Sequence, residues 1–240
     1  MKRKLMISDI HGCLEQLNEL LEVAKYHCNE DQLILLGDYV DRGPRSRETV
    51  DRVMELVRHH GAIALKGNHD DRWVDFILNG GQEVKSKFFQ HGGMETLQSY
   101  VPFEGEAGND CLIDDARMVV RRDYMDHLDF LQSLPLYYED GTHICVHAGL
   151  NPQYKNWKEQ PPRDFMYIKG EFHRSPNKTG KTIVFGHTRA AELHDSPGIW
   201  FSDGKIGIDG GCAYGMQLNG LVYEDESYQS YTVMNLRQKL

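Results

Sequence analysis

The sequence lacks most of the features that mark special classes of protein. It has no low-complexity segment and no internal repeat of fixed period, and its 8 prolines and 23 glycines in 240 residues are ordinary for a globular chain. No window approaches the roughly 18 apolar residues that a membrane-spanning helix needs. The apolar run behind the basic start of the chain stops within a few residues at Ser8 and Asp9, too early for a secretion signal. We therefore expect one globular domain over residues 1–240 with no membrane partner.

Cysteine and positive charge are also scarce. The 5 cysteines are odd in number and form no C-x-x-C pair, which is typical of reduced thiols and favours a cytoplasmic location. Lysine and arginine together number 27 against 36 aspartates and glutamates, which gives a formal net charge of -9. Because proteins bind DNA and RNA backbones largely through lysine and arginine, this balance argues against a nucleic-acid partner and against a nucleic-acid phosphodiesterase.

What the sequence does contain is a series of short apolar runs that stop at polar side chains able to bind metal. The longest, residues 33–36, leads into Gly37 and Asp38 and has the composition of a strand buried on both faces. Four other runs end in the same way, at Asp9 and His11, at Asn68 and His69, at His147, and at His187. In open α/β sheets ligands bind outside the carboxyl ends of the strands, so these endings are expected to meet at one edge if the strands share a sheet.

Helical periodicity fills the gaps between the apolar runs. Apolar residues spaced three and four apart predict helices over residues 13–27, 46–60, 72–78, 94–100 and 124–134, with Ser46 as an N-cap. The resulting β-α-β-α-β opening implies parallel strands. From residue 182 onward the chain is rich in strands of antiparallel type. These patterns predict an α/β fold with two packed, mixed sheets and helices outside.

Two long segments give weaker signals. Residues 80–123 hold one of the predicted helices and a polar loop over 104–110, and we expect this segment to cover the site or to shape its specificity. Residues 151–181 hold four prolines among aromatic and charged residues and predict a long excursion with one helix. Long loops in compact domains are usually functional.

The strand ends supply a candidate set of metal ligands, namely Asp9, His11, Asp38, Asn68, His147 and His187. This mixture of carboxylate, amide and imidazole suits Mn, Fe or Zn, whereas the absence of thiolate argues against a structural zinc site and the nitrogen content against calcium. Six ligands exceed the need of one ion with an open position, but they fit two divalent ions that share a carboxylate. Asp38, predicted to follow the central strand, is the expected bridge. Such a pair activates a water for in-line displacement, as phosphate ester hydrolysis requires.

Three residues beside the ligands complete a mechanism. A protonated His69 is the expected general acid for the leaving oxygen, with Asp41 holding its ring. Arg42 is expected to bind phosphoryl oxygens through its planar guanidinium. The histidines that follow no strand end are given no role. Tyr39 and Tyr214 could line the pocket, but aromatic packing is the role expected of them.

Taken in order, these motifs resemble those of the calcineurin-like metallophosphoesterases. The motifs that carry the similarity are Asp9-x-His11, Gly37-Asp38-x-x-Asp41-Arg42-Gly43, Gly67-Asn68-His69-Asp70, His147 and Gly186-His187, and they cover nearly the whole chain. The stretch from Asp38 to Pro44 is most similar to the phosphoprotein phosphatase branch, in particular to its bacterial and phage Ser/Thr phosphatases. The resemblance implies a β-sandwich flanked by helices, an αββα fold.

The resemblance also implies a role for each ligand. One divalent ion would take Asp9, His11 and Asp38, and the other would take Asp38, Asn68, His147 and His187. Mn is the metal most expected, with Fe and Zn as alternatives. Asp41 and His69 would form the acid dyad.

The sequence departs from the relatives at the second phosphate clamp. Relatives often carry a tryptophan-x-arginine stretch after the His147 motif, whereas the nearest match here is Tyr167-Ile168-Lys169. Lys169 is therefore assigned as a substrate-binding residue beside Arg42, although lysine lacks the planar fork of arginine. Arg163 and Arg174 remain competitors for this role. Asp70 stands where relatives commonly have glutamate and is given no role.

The leading functional hypothesis is a two-metal phosphomonoesterase that acts on phosphoserine or phosphothreonine in proteins or peptides. Symmetrical hydrolysis of dinucleoside polyphosphates, which are small phosphoester substrates, is the alternative, because relatives with nearly the same motifs catalyse it. A non-catalytic metal-binding module is a third hypothesis, but it would be expected to lack a ligand or a dyad residue, and none is missing here. The sequence makes no prediction about oligomeric state.

Overall fold

The computed structural model describes residues 2–102 and 109–236, in which β-strands and α-helices alternate through the first half of the chain. The strands are β1 Arg3–Ile7, β2 Asp31–Leu35, β3 Ile63–Ala64, β4 Tyr137–Glu139, β5 His143–Val146, β6 Thr182–Phe185, β7 Trp200–Ser202, β8 Lys205–Gly207, β9 Gln217–Glu224 and β10 Ser227–Met234. The helices are α1 Leu14–Val23, α2 Ser46–His60, α3 Asn68–Leu78, α4 Gln82–Gln90, α5 Gly93–Tyr100, α6 Asp110–Asp123, α7 Met125–Ser133, α8 Pro162–Tyr167, α9 Gly170–Arg174 and α10 Ala190–His194.

The strands form two mixed, five-stranded sheets that pack face to face. The order is β10-β9-β1-β2-β3 in the first sheet and β4-β5-β6-β8-β7 in the second. Helices cover both outer faces, so the predicted α/β class with an αββα arrangement is confirmed. None of the helices within residues 2–102 and 109–236 is both long and apolar enough to span a bilayer.

The opening of the chain follows the predicted pattern closely. Strands β1, β2 and β3 are parallel, with Leu5 opposite Leu33 in the first pair. Helix α2 has the predicted bounds, whereas α3 begins earlier than predicted, at Asn68. The prediction that Ser46 is an N-cap is wrong, because Ser46 is the first residue of the helix and its hydroxyl donates 3.5 Å to the carbonyl of Gly43.

The five polar-ended runs do not share one sheet, which was the condition under which they were expected to meet at one edge. Strands β1, β2 and β3 belong to the first sheet, and the parallel strands β5 and β6 belong to the second. Their polar ends meet nevertheless, because the sheets are stacked with these carboxyl ends on the same side of the sandwich. The prediction that Asp38 follows the central strand is also wrong, since β1 occupies the middle of the first sheet and β2 lies next to the edge.

Apolar side chains fill three layers of core. Met6 and Ile34 from the first sheet meet Cys145 and Val184 from the second in the layer between the sheets. Helices α1 and α2 pack on the first sheet, α3 and α5 to α7 join the same apolar cluster largely through contacts with other helices, and α8 and α9 pack on the second sheet. Strands β1 and β2 are thus buried on both faces, as their uninterrupted aliphatic runs predicted.

Within the described part of residues 80–123, α4 and α6 pack on α3, and the expectation that this segment covers the site or shapes its specificity stays a prediction. Two helices of this segment, α4 and α6, were not predicted from the sequence. Stacked rings hold the segment in place: the centroid of Phe88 lies 4.2 Å from that of Phe76 and 5.4 Å from that of Trp73. Most of the predicted polar loop over 104–110 lies outside the described residues.

The second half of the chain departs from prediction in two places. The hairpin of β4 and β5 turns at residues 140–141 as expected. Residues 151–181 hold the two short helices α8 and α9, where one helix was predicted. Strand β8 pairs parallel to β6, although β7 with β8 and β9 with β10 are antiparallel as expected.

Candidate metal centre and catalytic cleft

The loops that follow the strands share an uncommon backbone conformation. Six of their residues, none of them glycine, have left-handed φ angles: Asp9 (53°), His11 (47°), Asp38 (59°), Asp41 (71°), Arg42 (71°) and His187 (62°). Such conformations are costly for residues with a Cβ and cluster at functional sites. The amide of Asp9 donates to the carbonyl of Gly37 at 3.1 Å, and the amide of His11 donates to that of Asp38 at 2.9 Å. The loops after β1 and β2 therefore fix each other.

The candidate ligands meet in two groups that share Asp38. His11, Asp38 and His69 place one potential ligand atom each within 4.8 Å of one another, and so do Asp38, His147 and His187. Oδ2 of Asp38 lies 3.5 Å from Nε2 of His11 and 3.5 Å from Nε2 of His147.

The other two predicted ligands lie at the margins of these groups. Oδ1 of Asp9 lies 4.0 Å from Nε2 of His11, and Oδ1 of Asn68 lies 3.0 Å from Nε2 of His147. All six predicted ligands are buried or nearly so, and they converge on one place.

Hydrogen bonds to backbone carbonyls fix the orientation of two of the imidazoles. Nδ1 of His11 lies 2.7 Å from the carbonyl oxygen of Val40, and Nδ1 of His147 lies 2.8 Å from that of Leu36. Because a carbonyl only accepts, each Nδ1 carries the proton and each Nε2 presents a lone pair. These lone pairs thus face the carboxylate oxygens of Asp38, although Arg42 also donates to Nε2 of His11. This donor set fits a pair of divalent cations bridged by Asp38.

Burial and charge oppose each other at these groups. Burial acts to raise the pKa of Asp38, but the imidazoles of His147 and His69 outweigh it and hold the pKa of this carboxyl below its usual range. Burial raises the pKa of Asp9, and it lowers the pKa of His187 well below the ordinary value of imidazole. His147 shows the reverse shift, because burial acts to lower its pKa but the charges of Asp38 and Asp9 outweigh it and raise the pKa. The centre therefore favours a charged bridging carboxylate, while its imidazoles shift in both directions.

The predicted acid dyad is assembled at one side of this centre. Nδ1 of His69 lies 2.6 Å from Oδ2 of Asp41, which is fully buried. The hydroxyl of Thr96 on α5 donates 2.8 Å to Oδ1 of Asp41 and accepts from the amide of Asp41 at 2.7 Å. Arg42 donates from Nη2 to Nε2 of His69 at 2.8 Å and also contacts Nε2 of His11. Sequence reasoning did not identify Thr96, since its position on a distant helix gives no local signal.

Asp70 has a positioning role that the sequence did not reveal. Its carboxylate accepts hydrogen bonds from the backbone amides of Asp38 at 2.8 Å, Tyr39 at 2.9 Å and Gly67 at 2.9 Å. One buried side chain therefore joins the loop after β2 to the loop after β3. The only available signal was its place beside two predicted site residues.

A cleft of about 440 Å³ opens directly over the centre. The cationic residues that line it are Arg42, Arg72, Lys169 and Arg189. Its wall is completed by Tyr167, Tyr214, Glu192 and Asp209. The described part of residues 80–123 contributes His91. A larger cavity of about 600 Å³, near Trp157, contains none of the candidate ligands.

Only some of the residues predicted to bind phosphate line the cleft. Arg42 and Lys169 line the cleft, where the sequence analysis expected the substrate. Arg163 instead stacks on the ring of Tyr167, with Cζ 5.0 Å from the centroid, and neither it nor Arg174 lines the cleft. Arg72 and Arg189 were not predicted, because each is one of many surface-type arginines in the sequence.

Comparison with known proteins gives a consistent family assignment. The profile of the calcineurin-like phosphoesterases matches residues 2–218. The bis(5'-nucleosyl)-tetraphosphatase PrpE (asymmetrical) of Anoxybacillus flavithermus is 28% identical over 92% of this chain and 90% of its own length. The protein of the same name from Oceanobacillus iheyensis is 28% identical over 94% of this chain and 90% of its own.

Solved structures show the same fold. A protein provisionally named a diadenosine tetraphosphatase superposes with a TM-score of 0.67 at 23% identity and covers 98% of this chain and 95% of its own. The cold-active protein-tyrosine phosphatase of a psychrophilic Shewanella species superposes with a TM-score of 0.62 at 16% identity, over 98% of this chain and 81% of its own. The αββα sandwich is therefore shared with proteins named for different phosphate substrates.

Proposed function

Since this chain belongs to the calcineurin-like phosphoesterase family, we propose that it hydrolyses dinucleoside tetraphosphates, with asymmetrical cleavage to a nucleoside triphosphate and a nucleoside monophosphate. The observation that carries this proposal is the row of four cationic side chains along the cleft, Arg42, Arg72, Lys169 and Arg189. One phosphate monoester engages one or two such groups, whereas a chain of four phosphates offers charge to all of them. The asymmetrical mode follows the name of the relatives and replaces the symmetrical alternative considered from the sequence.

The metal-binding part of the mechanism rests on the residues that converge around Asp38. Asp9, His11 and Asp38 would hold one divalent cation, and Asp38, Asn68, His147 and His187 would hold the other. When bound, the two cations supply Lewis-acid charge and lower the pKa of water. We propose Mn as the preferred metal, on the chemistry of the mixed oxygen and nitrogen donors.

The chain's own side chains supply the remaining steps. Arg42 turns its planar guanidinium from His69 to the phosphoryl oxygens and orients the reacting phosphorus. A protonated His69 donates from Nε2 to the leaving oxygen, while Nδ1 keeps its proton on Asp41 at 2.6 Å. The buried Asp41 stabilises the positive charge that this acid form requires.

A phosphoserine or phosphothreonine phosphatase is the second candidate, as the sequence analysis expected. The observation in its favour is the position of residues 80–123. Within their described part, His91 alone lines the cleft, so the described residues of this segment build no nucleoside pocket over the strand ends. A groove left open in this way would accept a peptide as well as a nucleotide.

A substrate panel with purified protein and Mn²⁺ tests both proposals. We expect kcat/KM for diadenosine tetraphosphate to exceed that for phosphoserine and phosphothreonine peptides at least tenfold. Chromatography of the products should show ATP and AMP. Two molecules of ADP would establish the symmetrical mode, and a preference for phosphopeptides would overturn the proposal. Replacement of Mn²⁺ by Fe²⁺, Zn²⁺ or Mg²⁺ in the same assay tests the metal.

A further inference from the structure

Tyr214 lines the cleft, although aromatic packing was the role expected of it. Tyr214 is 42% exposed, on a short 3-10 turn that Gly211 and Gly215 flank with left-handed φ of 71° and 75°. Its ring contacts two guanidinium groups. Cζ of Arg189 lies 4.5 Å from the ring centroid and Cζ of Arg42 lies 5.0 Å from it.

Both distances are short enough for cation–π attraction, which extends to about 6 Å from the ring centroid. The guanidinium groups of Arg42 and Arg189 repel each other, and the electron-rich face of the Tyr214 ring offsets part of this repulsion. Tyr214 thus holds two arginines near each other in a cleft that already contains the reacting centre.

Arg189 is held in a way that leaves its outer edge available. Its Nε donates to Oε1 of Glu192 at 2.8 Å, and its guanidinium lies against the Tyr214 ring. Within residues 2–102 and 109–236, its two terminal nitrogens make no hydrogen bond. These nitrogens form the planar, two-pronged edge that arginine uses to bind phosphate. Glu192 therefore positions Arg189 without occupying that edge.

We propose that Arg189 and Tyr214, together with Arg42, form a second anion subsite that binds a phosphate next to the one attacked. The inference rests on the proposed polyphosphate substrate and makes it more specific. Arg42 serves the reacting phosphoryl group, and Arg189 binds its neighbour in the chain. Tyr214 is a positioning residue that holds the guanidinium groups of Arg42 and Arg189 beside each other. A substrate with one phosphate leaves Arg189 unused.

Variants compared on two substrates test the subsite. In Arg189→Met, KM for diadenosine tetraphosphate should rise about tenfold or more, because a charge-assisted contact to phosphate is lost, whereas KM for an aryl phosphate should rise less than about threefold. Tyr214→Leu should move the ratio of the two KM values in the same direction, and Tyr214→Phe, which retains the ring, should restore it. Arg122→Met is the matched control, because Arg122 also pairs with a neighbouring carboxylate, that of Asp123, but lies outside the cleft.

A binding measurement separates the subsite from the proposed activity. Calorimetry with the Mn²⁺-loaded protein should show methylenediphosphonate binding at least tenfold more tightly than methylphosphonate, and this ratio should shrink severalfold in Arg189→Met. If the protein fails to hydrolyse the tetraphosphate but the ratio behaves in this way, the proposed function is wrong and the subsite stands. If Arg189→Met weakens both ligands equally, or neither, the subsite is refuted whatever the activity.

Discussion

Two buried polar clusters lie at opposite ends of the same strands, and they differ in how their hydrogen-bonding groups are matched. Strand β1 carries Lys4 near its beginning and is followed by Asp9, whereas β5 begins at His143 and is followed by His147. The carboxyl ends hold the candidate metal centre. The amino ends hold a cluster that we call the basal network, consisting of Lys4, Asp140, His143 and Tyr228.

Donors and acceptors are matched throughout the basal network. Nζ of Lys4 lies 2.5 Å from Oδ2 of Asp140 and 3.1 Å from Nδ1 of His143, and Nε2 of His143 lies 2.8 Å from the hydroxyl of Tyr228. The network joins the two sheets and completes its own hydrogen bonds.

In the candidate metal centre donors and acceptors are not paired in this way, since carboxylate oxygens and imidazole lone pairs face one another. Oδ2 of Asp38 is 3.5 Å from two imidazole nitrogens that carry no proton when their Nδ1 atoms donate to carbonyls. Burial and polarity are common to both clusters, so neither property identifies the functional one. The distinguishing feature is the set of acceptors that face one another around Oδ2 of Asp38, because a bound cation would relieve this arrangement.

The largest effect that we predict is on catalysis at the metal centre. Asp38→Asn should lower kcat for any phosphoester by about a thousandfold or more, because the shared ligand of both cations loses its charge. Steady-state kinetics with Mn²⁺ measure this change. Thermal unfolding without metal checks that the variant still folds. If Asp38→Asn keeps wild-type activity, the cluster at the carboxyl ends of the strands is not the catalytic one, and the comparison with the basal network fails.

The next largest effect is expected at the dyad. His69→Gln should lower kcat by roughly a hundredfold for alkyl phosphates and by much less for aryl phosphates, because a good leaving group needs no general acid. The comparison of the two leaving groups is the measurement, since a defect in metal binding would slow both equally. Equal losses would therefore assign His69 to the metal centre rather than to proton transfer.

The basal network should show the opposite pattern. Lys4→Met removes the partner of Asp140 and should lower the free energy of unfolding by about 2 kcal/mol, a value reduced from that of fully buried pairs because the Asp140 side chain is 19% exposed. Activity under folding conditions should remain within about twofold of wild type. Urea denaturation and steady-state kinetics on the same preparation provide the test. A large loss of activity at unchanged stability would show that the basal network acts on the site.

The smallest predicted effect is the pH dependence that His143 contributes. Burial, with the charge of Lys4 as a further cause, lowers the pKa of His143 from 6.5 to about 4. Between these values the unfolded chain binds a proton that the folded chain does not, so the free energy of unfolding falls as pH decreases through this window. We expect a loss of roughly 1–2 kcal/mol, and His143→Gln should flatten that part of the stability curve. Denaturation at a series of pH values checks this, and an unchanged slope in the variant would contradict it.

The residues of the metal centre were accessible to sequence reasoning because their signal is local. An apolar run that stops at Asp38 or His147 marks both a buried strand and the residue placed at its end. What the sequence could not provide was the sharing of these strands between two sheets, since each run looks the same in either arrangement. Likewise, nothing local indicates the left-handed backbone of Asp38, which the neighbouring loop imposes.

Residues that act through distant contacts were missed for the same reason. Thr96 has ordinary sequence surroundings, and only the fold brings it to the site. Asp70 and Arg189 lie within two residues of predicted ligands, but the sequence does not reveal their contacts. Tyr214 shows the converse case. An aromatic residue near small and apolar neighbours predicts packing in the core. In this structure the ring instead contacts the guanidinium groups of Arg42 and Arg189.

The attachment of the dyad to the helical layer has a consequence for how such proteins tolerate shortening. Asp41 is fastened to Thr96 on α5, and the amide of Arg42 donates to the carbonyl of Gly92 just before that helix, at 2.8 Å. A chain trimmed between α3 and α7 would retain every strand-end donor and still load its cations. It would lose the contacts that hold Asp41 and Arg42, the residues proposed to support the general acid and to bind phosphate. We therefore expect length variation in this layer to lower turnover without preventing metal binding.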